Sequence, residues 1–252
     1  MKKLLTLLLC LTSVAAAAAP ERVIPWPDGA DTQSEGASSA PAAINHEHSR
    51  YFAAPPNYFE LSSSGTLIML PHFPTYQQTR EHTCGSACGL MVLHYYGRAG
   101  SETEFSLAQK MGTQPYPIGT SLSGMVKAFR ELGWNVDSKL DHPVFASYDA
   151  FRDFVIDTLK AGRPIMVENV DWGGHWRVVI GIDTMNDSST LDDVLIMADP
   201  YDTADHKQDG YVAVNGEKFF AMWFDHSMLP PQEREQPWLI AWPKEEKEAA
   251  KP

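Results

Sequence analysis

The stretch YQQTREHTCGSACGLMVLHYYG, residues 76–97, decides the fold. From Cys84 to Tyr96 it is mostly apolar, and Gly97 follows, so we predict a helix that ends at this glycine. Cys84 then lies in the first helical turn, with Gly85 beside it to allow close approach of another segment. The unpaired N–H groups and the partial positive charge of a helix start favour a thiolate over a thiol.

Cys84 is therefore a candidate nucleophile. An imidazolium beside a cysteine can lower the thiol pKa from about 8.5 into the range of roughly 3.5–7.5. Two alternatives stay open at this point. Cys84 and Cys88 can be small buried helix residues, or they can form a strained disulfide one turn apart.

A cysteine nucleophile needs a base and a group that orients the base, and two later stretches supply them. WGGHWRVVIGID places His175 at the start of a strand predicted over 176–182, and VLIMADP places Asp199 at the end of one predicted over 194–198. We predict an antiparallel hairpin with His175 directly opposite Asp199 and a turn centred on Asp187. This register makes one face wholly apolar, with the opposed pairs Trp176–Ala198, Val178–Ile196 and Ile180–Val194.

An oxyanion donor completes the set, because acyl transfer builds negative charge on the carbonyl oxygen. Gln78 lies six residues before Cys84 and can fold back over the helix start. Gln77 is the alternative donor, and Asp202 is the alternative acid for orienting His175.

The remaining pattern predicts an α+β fold with a mainly antiparallel sheet, because helices come early in the chain and strands come late. Further helices are predicted over 102–111, 121–132 and 148–160. The other predicted strands are 65–70, 165–170, 211–214 and 238–242.

The two ends of the chain differ from its centre. Residues 1–19 have a positive start, an apolar stretch and an alanine run, which is the layout of a cleavable signal peptide. Residues 20–45 are rich in Pro, Ala, Ser and Gly, so we predict a flexible linker there, and we predict a disordered tail over 244–252. One domain, 46–243, lies between them, and we expect a secreted or periplasmic protein with no membrane segment in its mature form.

Composition excludes several classes of protein. The 252 residues are 44% hydrophobic and 21% charged, as in an ordinary globular protein. The net charge is −12, and it becomes −14 once Lys2 and Lys3 leave with the signal peptide, so we expect no nucleic-acid partner. Only three cysteines are present, and Cys10 leaves with the signal peptide too, so a disulfide-rich scaffold is excluded.

No cofactor or metal ion is expected. The acidic loop with Asp199, Asp202, Asp205 and Asp209 lacks the spacing of an EF-hand. The histidines show no metal-ligand spacing such as His-Glu-x-x-His.

Taken in order, these motifs resemble a known family. Gln-x5-Cys-Gly-x-Ala-Cys, Met-x-Leu, Tyr-Tyr-Gly, His-Trp-x-Val-Val-x-Gly and Asp-Pro are similar to the papain-like cysteine peptidases that trim double-glycine leaders in bacteriocin exporters. The resemblance implies a papain-like fold and a peptide or protein substrate. It also implies Cys84 as nucleophile, His175 as base and acid, Asp199 as the orienting group, and Gln78 in the oxyanion hole.

The chain departs from the exporter pattern, because it shows no ATPase motif and no transmembrane helices and carries its own export signal. Leader processing coupled to transport therefore does not carry over. Acyl transfer to an amine or thiol, and peptide binding without turnover, are the alternative functions.

Overall fold

The computed structural model describes residues 56–185, 189–202 and 208–244. The predicted signal peptide, the linker, the tail from residue 245 and the predicted turn centre at Asp187 lie outside these residues. In the described part the helices are α1 (Cys84–Tyr95), α2 (Glu104–Met111), α3 (Leu122–Glu131), α4 (Tyr148–Lys160) and α5 (Gly216–Ala221). The strands are β1 (Leu67–Met69), β2 (Asn135–Ser138), β3 (Ile165–Asn169), β4 (His175–Asp183), β5 (Val194–Ala198), β6 (Tyr211–Asn215) and β7 (Trp238–Trp242).

The described strands form one antiparallel sheet in the order β2-β7-β3-β4-β5-β6. The first half of β4 pairs with β3, and its second half pairs with β1. β4 is therefore central, with β5 along its other edge, and its nine residues are nearly all buried. The predicted α+β fold is confirmed by this arrangement of helices and antiparallel strands.

Helix α1 is buried in the middle of the molecule, where it contacts α2, α3 and β4. Its residues from Cys84 to Leu93 are all buried, so it has no polar face. Two glycines make this packing possible. A Cβ added at Gly85 would lie 2.7 Å from the Cβ of Thr120, and one at Gly89 would lie 2.7 Å from the Cε of Met111.

The predicted helices and strands lie where the sequence pattern places them, with boundaries shifted by no more than two residues. The N-cap expected at Ser121 is present, since its hydroxyl accepts the N–H of Gly124. Two elements were not predicted. Strand β2 has the sequence NVDS, with a single apolar residue, and it becomes a strand by pairing with β7. Helix α5 has only six residues, capped by the Asn215 side chain.

Candidate active site

The register between β4 and β5 differs from the predicted one. Val178 is paired with Ala198, so the same register carried one residue further places Arg177, not His175, opposite Asp199. The predicted facing pairs are therefore wrong. Towards the turn a β-bulge between Val179 and Gly181 shifts the register by one more residue. Such a bulge leaves no mark in an alternating pattern, which explains the error.

The structure nevertheless brings His175 and Asp199 together. A shift of two residues keeps a side chain on the same face of the sheet, so the two residues become diagonal neighbours. His175 Nε2 lies 2.7 Å from Asp199 Oδ1, and both side chains are buried. Because an ionised carboxylate can only accept, Nε2 carries the hydrogen, and in neutral His175 the lone pair is on Nδ1.

Asp199 is held as a carboxylate by several donors. Oδ1 also accepts the backbone N–H groups of Tyr201 and Asp202, and Oδ2 accepts Nε of Arg177 at 2.9 Å. Burial alone would raise the pKa of this carboxyl. The positive charges of His175 and Arg177 outweigh burial and hold the Asp199 pKa well below its usual range.

Arg177 is a site residue that the sequence analysis missed. It is nearly fully buried, and it bridges Asp199 to Asp171, whose Oδ2 lies 2.8 Å from its terminal nitrogen. Burial would lower the pKa of the guanidinium, but the two carboxylates raise it. The signal in the sequence was an arginine inside an apolar strand, two residues after His175 and so on the same face.

Cys84 is the first residue of α1 and is 6% exposed. Burial raises the pKa of its thiol to about 12, and the charges of Glu168, when it is ionised, and of Asp199 add to the effect. The backbone N–H groups of Trp176 and Gly85 stabilise the thiolate but do not compensate. The helix start therefore does not lower the Cys84 pKa as expected, because the thiol is buried, and the resting residue is a thiol.

Both cysteines are free in the structure, so the disulfide alternative is not formed. Both contact the backbone of one residue in β4, Trp176. Cys84 is stabilised by the N–H of Trp176, and Cys88 Sγ lies 3.3 Å from the Trp176 carbonyl oxygen. Trp176 directly follows His175, so α1 presents Cys84 to the start of the strand that carries the imidazole.

Gln78 and His175 line the same cleft, whose volume is about 200 Å³. The Gln78 backbone N–H donates to the carbonyl of Pro200, which ties this segment to the turn after Asp199. Its side-chain nitrogen donates one hydrogen to the Arg80 carbonyl at 2.7 Å and has a second hydrogen to donate. The cleft walls include Tyr116, Trp172, Tyr201 and Met228.

The two alternative residues are placed elsewhere. Gln77 is buried, and its amide has no hydrogen-bond partner among the described residues. Asp202 accepts the N–H of Gly210, whereas Nε2 of His175 lies against Asp199.

The model of the Peptidase_C39 like family matches residues 71–225, which is more than half of the chain. The chain belongs to this family. The match begins before Gln78 and extends beyond Asp199, so it covers all four predicted site residues and confirms the resemblance noted from the motifs.

Two solved structures are similar to this member of the family, both from streptococci. The peptidase domain of Streptococcus ComA, a bi-functional ABC transporter involved in a quorum sensing pathway, is 18% identical with a TM-score of 0.47. The alignment covers 69% of this chain and all of that one. The peptidase domain of Streptococcus mutans ComA is 17% identical with a TM-score of 0.34, over 66% and 97% of the two chains. Comparison with curated proteins gives no match.

Two features are absent from residues 56–185, 189–202 and 208–244: a membrane-spanning helix and a metal-binding group of side chains. No helix among them is long and apolar enough to cross a bilayer. In the same part of the chain, His, Cys, Asp and Glu side chains form no group of three that could hold a metal ion. Asp205 of the acidic loop lies outside the described residues.

Proposed function

We propose that this protein is a cysteine peptidase that hydrolyses amide bonds in peptide or protein substrates. Cys84 is the nucleophile, His175 the base and acid, Asp199 the orienting carboxylate and Gln78 the oxyanion donor. The observation that carries the proposal is the buried hydrogen bond of 2.7 Å between His175 and Asp199 at the wall of the cleft that Gln78 also lines. Membership of a peptidase-like family supports the same chemistry.

The proposed reaction uses these groups in turn. Cys84 Sγ attacks the scissile carbonyl carbon while its proton passes to Nδ1 of His175. The oxyanion that forms is stabilised by the Gln78 side chain and the Cys84 backbone N–H. The tetrahedral intermediate expels the amine, which takes the proton from His175, and a thioester remains. Water then attacks the thioester, His175 takes its proton, and the Cys84 thiol and the carboxylic acid product are released.

The high pKa of Cys84 gives His175 a specific task. A thiol with a pKa of about 12 is almost wholly protonated at neutral pH, so it does not react as a preformed thiolate. Proton transfer to His175 must accompany the attack. The imidazolium that forms would then lie between the new negative charge and Asp199, whose carboxylate is stabilised by His175 itself and by Arg177.

Labelling with a peptide vinyl sulfone, which alkylates the nucleophile of cysteine peptidases, tests the proposed function. We expect the wild type to be labelled at Cys84 and to cleave a peptide library, and Cys84→Ala to lose both reactions completely. Cys88→Ala is the matched control, because it removes a buried thiol one turn away and should retain both. Labelling of both cysteines at similar rates with no cleavage would contradict a peptidase and favour the peptide-binding alternative.

Export is proposed as well, on the composition of residues 1–19. Expressed from its full reading frame in a bacterium, the protein should appear in the periplasm or medium with a new N-terminus near Ala19. The substitutions Leu7→Arg and Leu8→Arg interrupt the apolar stretch, so this variant should stay inside the cell at full length. N-terminal sequencing of the two fractions measures this, and an intact Met1 on exported wild type would contradict cleavage.

A further inference from the structure

Two buried carboxyl groups lie directly beneath the segment that leads into His175. Glu168 on β3 is 3% exposed, and Asp225, in the segment after α5, is fully buried. A Cβ added at Gly174 would lie 2.6 Å from Asp225 Oδ2 and 3.1 Å from Glu168 Oε1. A side-chain hydrogen bond joins the two carboxyls, so they are side by side, and together they fill the space that a side chain at the residue before His175 would need.

One proton must be shared by this pair, because two adjacent buried carboxyls do not both ionise. Asp225 Oδ1 accepts the N–H groups of Ser227 and Met228 and the Ser227 hydroxyl, which stabilises its carboxylate. Burial, and then the negative charge of Asp225, raise the pKa of Glu168 well above its ordinary value. We therefore assign the proton to Glu168.

The surroundings of the pair contain other acidic groups. The negative charge of Glu233, in the turn 231–233, adds to those that raise the pKa of Glu168. Arg234 follows Glu233 but directs its Nε to the Leu229 carbonyl. A charge on Glu168 in turn raises the pKa of Cys84.

The pair is also joined to the cleft. The Ser227 hydroxyl contacts the Gly173 carbonyl oxygen at 3.0 Å as well as Asp225. The segment after α5 is therefore hydrogen-bonded to the backbone before His175. Gly174 and Met228 line the cleft together with His175.

We propose that Glu168 is a positioning residue. As the protonated partner of Asp225, it supports the backbone at Gly174 beneath His175, and because it is uncharged it adds no negative charge beside Cys84. The proposal rests on the proposed function for its catalytic meaning. Its physical content is independent of turnover, because it concerns the ionisation of Cys84 and the stability of the fold.

The rate at which iodoacetamide alkylates Cys84, followed by mass spectrometry from pH 6 to pH 10, reports the ionisation of this thiol. The measurement needs no peptidase activity. In Glu168→Gln the neighbouring charge cannot form, so we expect alkylation rates equal to wild type at pH 6 and up to about tenfold faster at pH 9. Asp225→Asn should act in the opposite direction, because loss of the neighbouring carboxylate lets Glu168 ionise at lower pH and slows alkylation near pH 7.

Asp193→Asn is the matched control, because Asp193 is a fully buried carboxyl that pairs with Tyr148 and Arg152 at the far end of β5. It should lower stability and leave the alkylation profile unchanged. If Glu168→Gln and Asp225→Asn also keep the wild-type profile, the role of the pair is structural only and the proposal is overturned. Failure of the peptidase proposal would appear instead as absent peptide cleavage with these alkylation shifts intact.

The pH dependence of folding provides the second measurement. A group whose pKa is raised in the folded state gives stability that is complete below its unfolded pKa, about 4.3 for glutamate, and is lost as the pH rises through the folded value. As the pH rises above about 5, the wild type should therefore lose stability more steeply than Glu168→Gln. Parallel curves of the free energy of unfolding against pH would exclude a shared proton.

Discussion

Asp199→Ala should lower the free energy of unfolding by about 3–5 kcal/mol, which corresponds to a Tm lower by roughly 10 °C. The substitution removes the acceptor of both the His175 and the Arg177 hydrogen bonds in a site that is almost closed to water. Arg177 would keep its charge with only Asp171 to balance it. Peptide cleavage and vinyl sulfone labelling should be lost together, since the imidazole loses the group that fixes its tautomer.

Asp199→Asn separates the two roles of this carboxylate. The amide oxygen can still accept from His175, but the charge opposite Arg177 is gone, so we expect a smaller loss of labelling and a large loss of stability. Thermal denaturation and labelling rates on the same samples give the comparison. If Asp199→Ala and Asp199→Asn lose the same stability and neither changes the labelling rate, Asp199 does not orient His175.

The pH dependence of the stability difference has a defined sign. The pKa of Asp199 is lowered in the folded state, so its contribution is complete above the unfolded value of about 3.9 and is lost as the pH falls through the folded value. The gap in unfolding free energy between wild type and Asp199→Asn should therefore be widest above pH 5 and shrink towards pH 2.

Local signals in the sequence were sufficient for most of the fold. The apolar period of 148–160 defines α4 without reference to the rest of the chain, and the short β-branched runs define β3 to β6. Strand β2 was missed because its residues gain their structure from β7, more than a hundred positions away. The β4 bulge was missed because it depends on how the strand packs, and alternation of residue types does not encode it.

The site residues also divide into those that the local sequence reveals and those that only the folded structure reveals. Cys84, His175, Asp199 and Gln78 could be selected because each has a chemical type and a spacing that local elements explain. Arg177 and the Glu168–Asp225 pair matter through partners that are distant in sequence, and their burial is a property of the folded sheet. The Cys84 pKa belongs to the second group, because a helix start lowers it and burial raises it, and only the structure shows which effect is larger.

His175→Ala should reduce the rate of vinyl sulfone labelling at pH 7 by roughly 10²–10⁴-fold, the usual contribution of a general base. The more informative result is the shape of the pH profile. Without its base, Cys84 reacts only through the fraction of thiolate formed in equilibrium with solvent, and its pKa is about 12. The labelling rate should therefore rise about tenfold for each pH unit between pH 7 and pH 10.

The labelling rate of the wild type should not rise with pH in this way, because His175 removes the proton of the Cys84 thiol during the attack. His142→Gln is a suitable control, since it replaces a half-exposed histidine bonded to Asp137 outside the cleft. Circular dichroism would verify that each variant folds. A plateau in the His175→Ala profile at neutral pH would mean that Cys84 is already a thiolate. The helix start would then dominate over burial, and His175 would not be needed to activate the nucleophile.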